Sequence, residues 1–183
     1  MLPNNLFART SSLPSRPLLE SYWVIPGRLL AGEYPGTPYS PENTRKRLDA
    51  LLGNGFQTFI NLTRPNELES YEELLKEQAD YYSVEAECLR FSINDFGLPN
   101  RELMTGILDA IDEALEHDSR IYLHCFGGIG RTGTVVGCYL VRHGYTGQQA
   151  LSQLAEWWHL VPKSIIHPRS PETQQQADFV LNW

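Results

Sequence analysis

The chain has 183 residues, 42% of them hydrophobic and 20% charged, which are ordinary values for one globular domain with a sizeable core. Its net charge of −7 argues against nucleic acid or an anionic membrane as a partner, and its apolar runs are too short to span a bilayer. The three cysteines lack the spacing of a disulfide framework or a zinc site, which indicates a reducing compartment. We therefore expect a cytoplasmic monomer.

The N-terminal segment, residues 1–19, differs in composition from the rest of the chain. It contains arginines and serines but no acidic residue, as organellar transit peptides do. Three prolines would interrupt an amphipathic helix there: Pro3, Pro14 and Pro17. We predict a flexible tail over residues 1–19 and a folded domain over residues 20–183, with organellar import directed by the tail as the alternative.

The spacing of apolar residues predicts strands alternating with helices along the domain. The predicted strands cover residues 22–25, 28–31, 58–62, 83–93 and 121–124. The predicted helices cover residues 41–52, 66–78, 101–117, 132–142, 148–159 and 171–181. Thr146 with Gln149 forms a capping box, and Ser170 followed by Pro171 is typical of a helix start. This order predicts an α/β fold: a single domain with a central, mostly parallel β-sheet of four to five strands flanked by about six α-helices.

One ten-residue stretch joins a predicted strand to a predicted helix and carries most of the chemical information. It reads His124-Cys125-Phe126-Gly127-Gly128-Ile129-Gly130-Arg131-Thr132-Gly133. The glycines allow a tight loop whose N–H groups point inward, and a helix N-terminus favours an anion. The same field favours the thiolate of Cys125, the reactive form, and the planar guanidinium of Arg131 can hold two phosphate oxygens at once. The stretch therefore predicts that residues 126–131 bind a phosphate group that Cys125 can attack.

Two flanking residues have predicted supporting roles. The hydroxyl of Thr132 can hydrogen-bond the sulfur and ease its departure, and His124 is expected to support the loop from beneath. The alternative interpretation makes Cys125 a packing residue and the glycines an ordinary turn. The complete pattern at a strand-to-helix junction favours the phosphate site, because ligands bind at the carboxyl ends of strands in open α/β sheets.

On these residues the chain resembles the cysteine-dependent phosphatases of the protein tyrosine phosphatase superfamily, within them the compact dual-specificity type. The resemblance extends from about Tyr22 to the C-terminus and includes two further segments, residues 22–32 and residues 94–99. It implies a phosphotyrosine protein phosphatase-like fold, a phosphocysteine intermediate, an aspartate on a mobile loop as general acid, and no metal or other cofactor.

The general acid predicted on this basis is Asp95. An alkoxide is a poor leaving group, and a positioned acid accelerates its departure by roughly 10²–10⁴-fold. Asp95 lies thirty residues before Cys125, in a loop that contains Gly97 and Pro99. Asn94 stands where many members of the family have proline or an apolar residue, so the loop departs from their pattern. A turn-forming role is the alternative for Asp95.

Several other residues have two interpretations. Glu85 and Glu87 are fallback acids, but their alternation with apolar residues predicts the solvent face of a strand. The acidic run at residues 66–73 predicts a solvated helix face. Cys88 and Cys138 are expected in the core, with a redox disulfide between Cys88 and Cys125 as an alternative.

The C-terminal segment at residues 170–179 resembles the glutamine loop of the larger tyrosine phosphatases. Gln176 aligns with the second glutamine of that pattern, whereas Glu172 replaces the first. We therefore name Gln176 as a candidate supporting residue. A capped amphipathic terminal helix explains the same residues.

The predicted function is hydrolysis of phosphotyrosine in proteins, with phosphoserine and phosphothreonine as further substrates. A different possibility is a phosphatase of a phosphoinositide or a nucleotide. The loop contains no lysine, which disfavours a highly charged lipid head group. Two rival classes are a module that binds phosphate groups without turnover and a different loop-thiol enzyme, such as a sulfur transferase or an arsenate reductase.

Overall fold

The computed structural model describes residues 13–183, which contain five strands and six α-helices. The strands are β1 Ser21–Ile25, β2 Leu29–Gly32, β3 Phe56–Asn61, β4 Glu87–Arg90 and β5 Arg120–His124. The helices are α1 Pro41–Leu52, α2 Glu72–Tyr82, α3 Arg101–Glu116, α4 Gly130–Arg142, α5 Gly147–Trp158 and α6 Gln174–Leu181, with a short 3₁₀ helix at Pro162–Ile165.

The strands form one sheet in the order β1-β2-β5-β3-β4. β1 and β2 are antiparallel, and every other neighbouring pair is parallel. The predicted α/β fold with a mostly parallel sheet is therefore confirmed. Because β2, β5, β3 and β4 run in the same direction, their carboxyl ends meet at one edge.

The core lies on both sides of the central strand β5. Ile121, Tyr122 and Leu123 on this strand are fully buried, as expected for a strand covered by helices on both faces. The following helix α4 has eleven consecutive buried residues because it packs against α3, α5 and α6. A fully buried aliphatic side chain contributes about 1.5–3 kcal/mol. Strand β5 and helix α4 thus hold the connecting loop rigidly at the sheet edge.

Helix starts agree with the sequence at α5 and differ at α6. The predicted capping box of Thr146 and Gln149 is present at α5. The predicted start of the last helix at Pro171 is wrong, because α6 begins at Gln174 with Thr173 as its N-cap. The hydroxyl of Ser170 instead donates to the carbonyl of Ile129, 2.8 Å away, while the hydroxyl of Thr173 accepts from the N–H of Gln176 and caps α6.

Two further boundaries differ from the predictions. The predicted helix at residues 66–78 begins only at Glu72, because hydrogen bonds of Glu67 with Arg131 and of Tyr71 with His124 outweigh helix propensity. The strand predicted at residues 83–93 is confined to Glu87–Arg90, since Ser83 ends α2 in the left-handed conformation.

Part of the predicted N-terminal tail contacts the domain. Leu18 is buried, and the indole N–H of Trp23 donates to the carbonyl of Pro14 at 2.9 Å. Residues 13–19 therefore lie against the sheet, while the rest of the predicted tail falls outside the described residues. Between residues 13 and 183, no helix is both long and apolar enough to cross a membrane.

Candidate active site

The predicted site residues lie at the carboxyl edge of the sheet. The last residues of four strands form a row of register partners: Gly32, His124, Asn61 and Arg90. The segments that follow these strands carry most of the groups that form the site, and the chain after α5 supplies the rest. The topology therefore brings together residues that are far apart in the sequence.

The loop at residues 125–130, here called the Cys125 loop, requires glycine at position 128. Gly128 has φ +73°, in the left-handed region, and a Cβ there would lie 2.5 Å from the carbonyl carbon of Gly32. The loop thus packs directly on the backbone that leaves β2. This close approach brings the loop against the end of a neighbouring strand.

Four carbonyl groups of the Cys125 loop accept hydrogen bonds from donors outside it. The acceptor and donor pairs are Cys125 O with His124 Nδ1, Phe126 O with Tyr34 N, Gly127 O with Lys163 Nζ, and Ile129 O with Ser170 Oγ. Their distances lie between 2.8 and 3.3 Å. Because a peptide C=O and N–H point in opposite directions, carbonyls turned outward favour N–H groups turned inward, as an anion cradle requires.

His124 lies beneath the loop as a neutral ring. Burial lowers its pKa to about 3, and its side chain is fully buried. Its Nε2 is 2.8 Å from the hydroxyl of Tyr71 and its Nδ1 is 3.3 Å from the carbonyl of Cys125. Since a carbonyl only accepts, Nδ1 donates and Nε2 accepts from Tyr71. His124 therefore bonds both the carbonyl of Cys125 and the hydroxyl of Tyr71.

Arg131 is held in place by a residue that no sequence pattern selected. The two carboxylate oxygens of Glu67 lie 2.7 and 2.9 Å from the two terminal nitrogens of Arg131, and the carbonyl of Ile93 accepts from the same guanidinium at 3.1 Å. Burial alone would lower the pKa of Arg131, but the hydrogen bonds with Glu67 and the charges of Cys125, Glu67 and Asp95 raise it. Arg131 is only 2% exposed, so a fixed cation lies under the cavity.

Glu67 is in turn stabilised as a carboxylate. Burial alone would raise its pKa, but hydrogen bonds from Arg131 and from the backbone N–H of Arg64 hold the pKa below its ordinary value. Glu67 lies in the run predicted to be a solvated helix face, and for this residue that prediction is wrong. An arginine that must be buried needs an acidic partner, but no spacing in the sequence distinguishes Glu67 from the other acidic residues of the run.

Asp95 lies across the cavity from the Cys125 loop. Its Oδ1 is 3.0 Å from a terminal nitrogen of Arg131, and its side chain is 53% exposed. It belongs to the segment at residues 94–99, here called the Asp95 loop, which ends where Asn100 caps α3. The fallback acids Glu85 and Glu87 lie by the amino end of β4, at the opposite edge of the sheet.

Thr132 has a buried hydroxyl with no hydrogen-bond partner among the described residues. A buried hydroxyl without a partner is costly, so such a group calls for an explanation. Thr132 follows Arg131 in the first turn of α4, next to the Cys125 loop. A sulfur or a phosphate oxygen at this loop would be an acceptor for it.

Gln176 is fully buried and joins the C-terminal helix to the Asp95 loop. Its Nε2 donates to the carbonyl of Gly97 at 3.3 Å, while its Oε1 accepts from the backbone N–H groups of Glu172 and Thr173. Gln176 is not among the residues that line the cavity, whereas Glu172 is. The geometry therefore connects Gln176 to the Asp95 loop.

The cavity has a volume of about 390 Å³ and a second wall formed by the chain after α5. Lys163 and His167 line this wall, and neither was selected from the sequence. The Lys163 ammonium is 2.5 Å from Glu33, which also pairs with Arg47. The sequence does not predict Lys163 and His167 as site residues, because basic residues in an irregular segment have no characteristic spacing. Their position after α5 is the one feature that they share.

Cys88 is too distant from Cys125 to form a disulfide in this conformation. Cys88 is the register partner of Phe59, which pairs with Tyr122, so two strand spacings and three residues separate the two cysteines. At about 4.8 Å per strand spacing and about 3.3 Å per residue, the separation is roughly 14 Å, twice the reach of a disulfide. Cys88 instead contacts the hydroxyl of Tyr71 at 3.3 Å.

The fold and the cavity define a class of protein in which a cysteine and an arginine lie at the two ends of a glycine-rich loop at a sheet edge. The chain matches the family described as PTP-SAK, Swiss Army Knife protein, DSP-PTPase phosphatase domain, over residues 19–180. It belongs to this family and is a phosphatase of the protein tyrosine and dual-specificity superfamily.

Two relatives illustrate how much of a longer protein the chain matches. Protein tyrosine phosphatase domain-containing protein 1 of Mus musculus is 31% identical over 101 residues, which are 51% of this chain and 13% of that protein. Tyrosine-protein phosphatase cdc-14 of Caenorhabditis elegans is 25% identical over 167 residues, which are 86% of this chain and 21% of that protein. The chain thus spans less than a quarter of the length of either relative.

Two solved structures share the fold. Tk-PTP in its active form has a TM-score of 0.69 and 23% identity, covering 89% of this chain and 95% of that one. PTPMT1 in complex with PI(5)P has a TM-score of 0.62 and 17% identity, covering 85% of this chain and 89% of that one. At these identities the likeness shows the fold alone.

Proposed function

We propose that this phosphatase hydrolyses phosphomonoesters in proteins, phosphotyrosine foremost, through a phosphocysteine intermediate. One observation carries the proposal: Cys125, Arg131 and Asp95 line the same cavity, with Asp95 3.0 Å from Arg131. A nucleophile, a cation for the equatorial oxygens and a carboxyl group for the leaving oxygen are the groups that phosphoryl transfer to sulfur requires.

In the first step the Cys125 thiolate attacks phosphorus, and the bond between phosphorus and the ester oxygen breaks. Arg131 and the inward N–H groups of the Cys125 loop hold the equatorial oxygens, and Asp95 gives its proton to the leaving oxygen. Glu67 keeps the guanidinium of Arg131 in the plane that suits a bidentate contact.

In the second step water attacks the phosphorus of the phosphocysteine, and the S–P bond breaks. The carboxylate of Asp95 takes the proton of the attacking water, and inorganic phosphate leaves. The hydroxyl of Thr132, which has no other partner among the described residues, donates to the departing sulfur and stabilises the thiolate.

A preference for phosphotyrosine is supported by the walls of the cavity. The side chains of Phe96 and Phe126 line it and are both more than half exposed. An aryl ring carrying the phosphate can pack against these rings, whereas the short side chain of phosphoserine cannot reach them from the same phosphate position. Hydrolysis of phosphoserine and phosphothreonine is expected to be slower.

A second candidate function is favoured by Lys163 and His167. Lys163 gives the cavity wall a cationic group outside the Cys125 loop, so positive charge near the phosphate site is not limited to Arg131, and the ring of His167 adds a hydrogen-bonding group. A phosphomonoester with a second anionic group, such as a phosphoinositide or a nucleotide, would contact them. Glu33 pairs with Lys163 at 2.5 Å and Glu172 lies near His167, so much of this positive charge is compensated.

The test is a substrate panel measured without metal in the presence of a chelator. We expect p-nitrophenyl phosphate to be hydrolysed, the activity to disappear in Cys125→Ser, and kcat/KM to be highest for phosphotyrosyl peptides. No hydrolysis, or hydrolysis that survives Cys125→Ser, would overturn the proposed mechanism. A higher kcat/KM for a phosphoinositide or a nucleotide would favour the second candidate.

A further inference from the structure

Four large apolar side chains on the segments that form the cavity walls are exposed: two line the cavity, and two lie between Lys163 and His167, which also line it. Phe96 and Phe126 line the cavity and are 58% and 54% exposed, while Ile165 and Ile166 are 87% and 78% exposed. The two isoleucines directly precede His167, which also lines the cavity. We call these four side chains the apolar rim. Exposed apolar side chains beside a cavity are typical of a binding surface.

The backbone under the apolar rim is held by hydrogen bonds. The N–H groups of Ile166 and His167 both donate to the carbonyl of Lys163, at 3.1 and 2.9 Å. The carbonyl of Phe126 accepts from the N–H of Tyr34 at 2.9 Å. A surface that is already ordered loses little conformational entropy when a ligand covers it.

Charge determines which occupant fits. Within the cavity the carboxylates of Asp95 and Glu33 pair with Arg131 and Lys163, and the whole chain carries a net charge of −7. An anionic lipid surface or an acidic peptide would approach against this charge. An uncharged, apolar side chain gains contact area on the rim without that repulsion.

We propose that the apolar rim selects protein substrates with a large apolar residue directly beside the phosphorylated residue. The inference rests on the proposed function, because the phosphate must sit at Arg131 for a neighbouring residue to reach the rim. Consecutive Cα atoms lie about 3.8 Å apart, so the residue before or after the phosphorylated one reaches the edge of the same cavity.

The experiment compares two phosphotyrosyl peptides that differ only in leucine or serine on both sides of the phosphotyrosine. The enzyme forms are the wild type, the double variant Ile165→Ser/Ile166→Ser, and a matched control, Tyr81→Ser, which removes an 80% exposed apolar residue of α2. We expect a roughly tenfold higher kcat/KM for the leucine peptide in the wild type and the control. The double variant should lose this preference and should hydrolyse p-nitrophenyl phosphate at the wild-type rate.

Equal kcat/KM for the two peptides, or a preference that survives the double substitution, would refute the role of the rim. Binding of the wild type to vesicles of phosphatidylcholine and phosphatidylserine, lost in the double variant, would assign the rim to a lipid surface and refute it as well. Hydrolysis of p-nitrophenyl phosphate but of neither peptide would refute the proposed protein substrate itself. The two failures are therefore distinguishable.

Discussion

Replacing Glu67 by glutamine tests whether the orientation of Arg131 matters for catalysis. The substitution keeps the shape of the side chain and removes its charge, so one of the two hydrogen bonds from the guanidinium is lost and the other keeps only an uncharged acceptor. Two further interactions of the buried guanidinium among the described residues are unchanged: its hydrogen bond to the Ile93 carbonyl and its ion pair with the half-exposed Asp95.

The expected loss of activity follows from the free energy of a hydrogen bond to a charged group. A hydrogen bond to a charged group is worth about 1.5–3 kcal/mol, and about 1.4 kcal/mol corresponds to a factor of ten. We expect kcat/KM for p-nitrophenyl phosphate to fall roughly 10- to 100-fold. The inhibition constant of inorganic phosphate should rise in parallel, because it reports on the same guanidinium without any chemical step.

The matched control is Glu69→Gln, in the same acidic run. Glu69 is exposed, and its carboxylate accepts a 3.2 Å hydrogen bond from the backbone N–H of Tyr39, away from Arg131. We expect this variant to retain wild-type kinetics. If Glu67→Gln stays within about twofold of Glu69→Gln in both measurements, the positioning role of Glu67 is wrong.

Three further outcomes can be measured. Asp95→Asn should lower kcat roughly 10²-fold or more for esters with poor leaving groups, and much less for p-nitrophenyl phosphate, because only the former need a proton. Gln176→Leu should lower kcat for the same poor leaving groups while leaving phosphate inhibition unchanged, because it releases the carbonyl of Gly97 and frees the Asp95 loop without touching Arg131. Acidification should destabilise the fold through His124: the pKa of this ring is about 3 when folded and about 6.5 when unfolded, so only the unfolded chain gains the proton as the pH falls below about 6.5. Urea unfolding should show a loss of about 1 kcal/mol between about pH 7 and pH 5.5 that is missing in His124→Gln.

Each of these three predictions would be contradicted by a specific result. Equal losses for good and poor leaving groups would remove Asp95 from the acid role. A weaker phosphate inhibition in Gln176→Leu would mean that this residue supports the Cys125 loop instead of the Asp95 loop. A pH dependence that is the same in the wild type and His124→Gln would mean that another group titrates.

The contrast between Asp95 and Glu67 shows what could be predicted. The sequence predicts Asp95 as the general acid because three features point to it: its distance from Cys125, its position after a predicted strand and the resemblance of its segment to a known family. Glu67 follows a strand as well, but it lies among other acidic residues and its partner is sixty-four positions away. Only the parallel pairing of β3 with β5 brings its carboxylate beside the guanidinium of Arg131.

The sequence by itself determined the α/β class, most helices and the position of the Cys125 loop between a strand and a helix, because these depend on local periodicity and on contiguous residues. The tertiary structure alone decided the partners that hold this loop and Arg131: Glu67, Tyr71, Lys163 and Ser170. Their positions depend on strand order and on the packing of the chain after α5, which no local pattern encodes. The physical reason is that a buried cation and outward carbonyl groups need partners of a given chemistry, and any segment that the fold brings near can supply them.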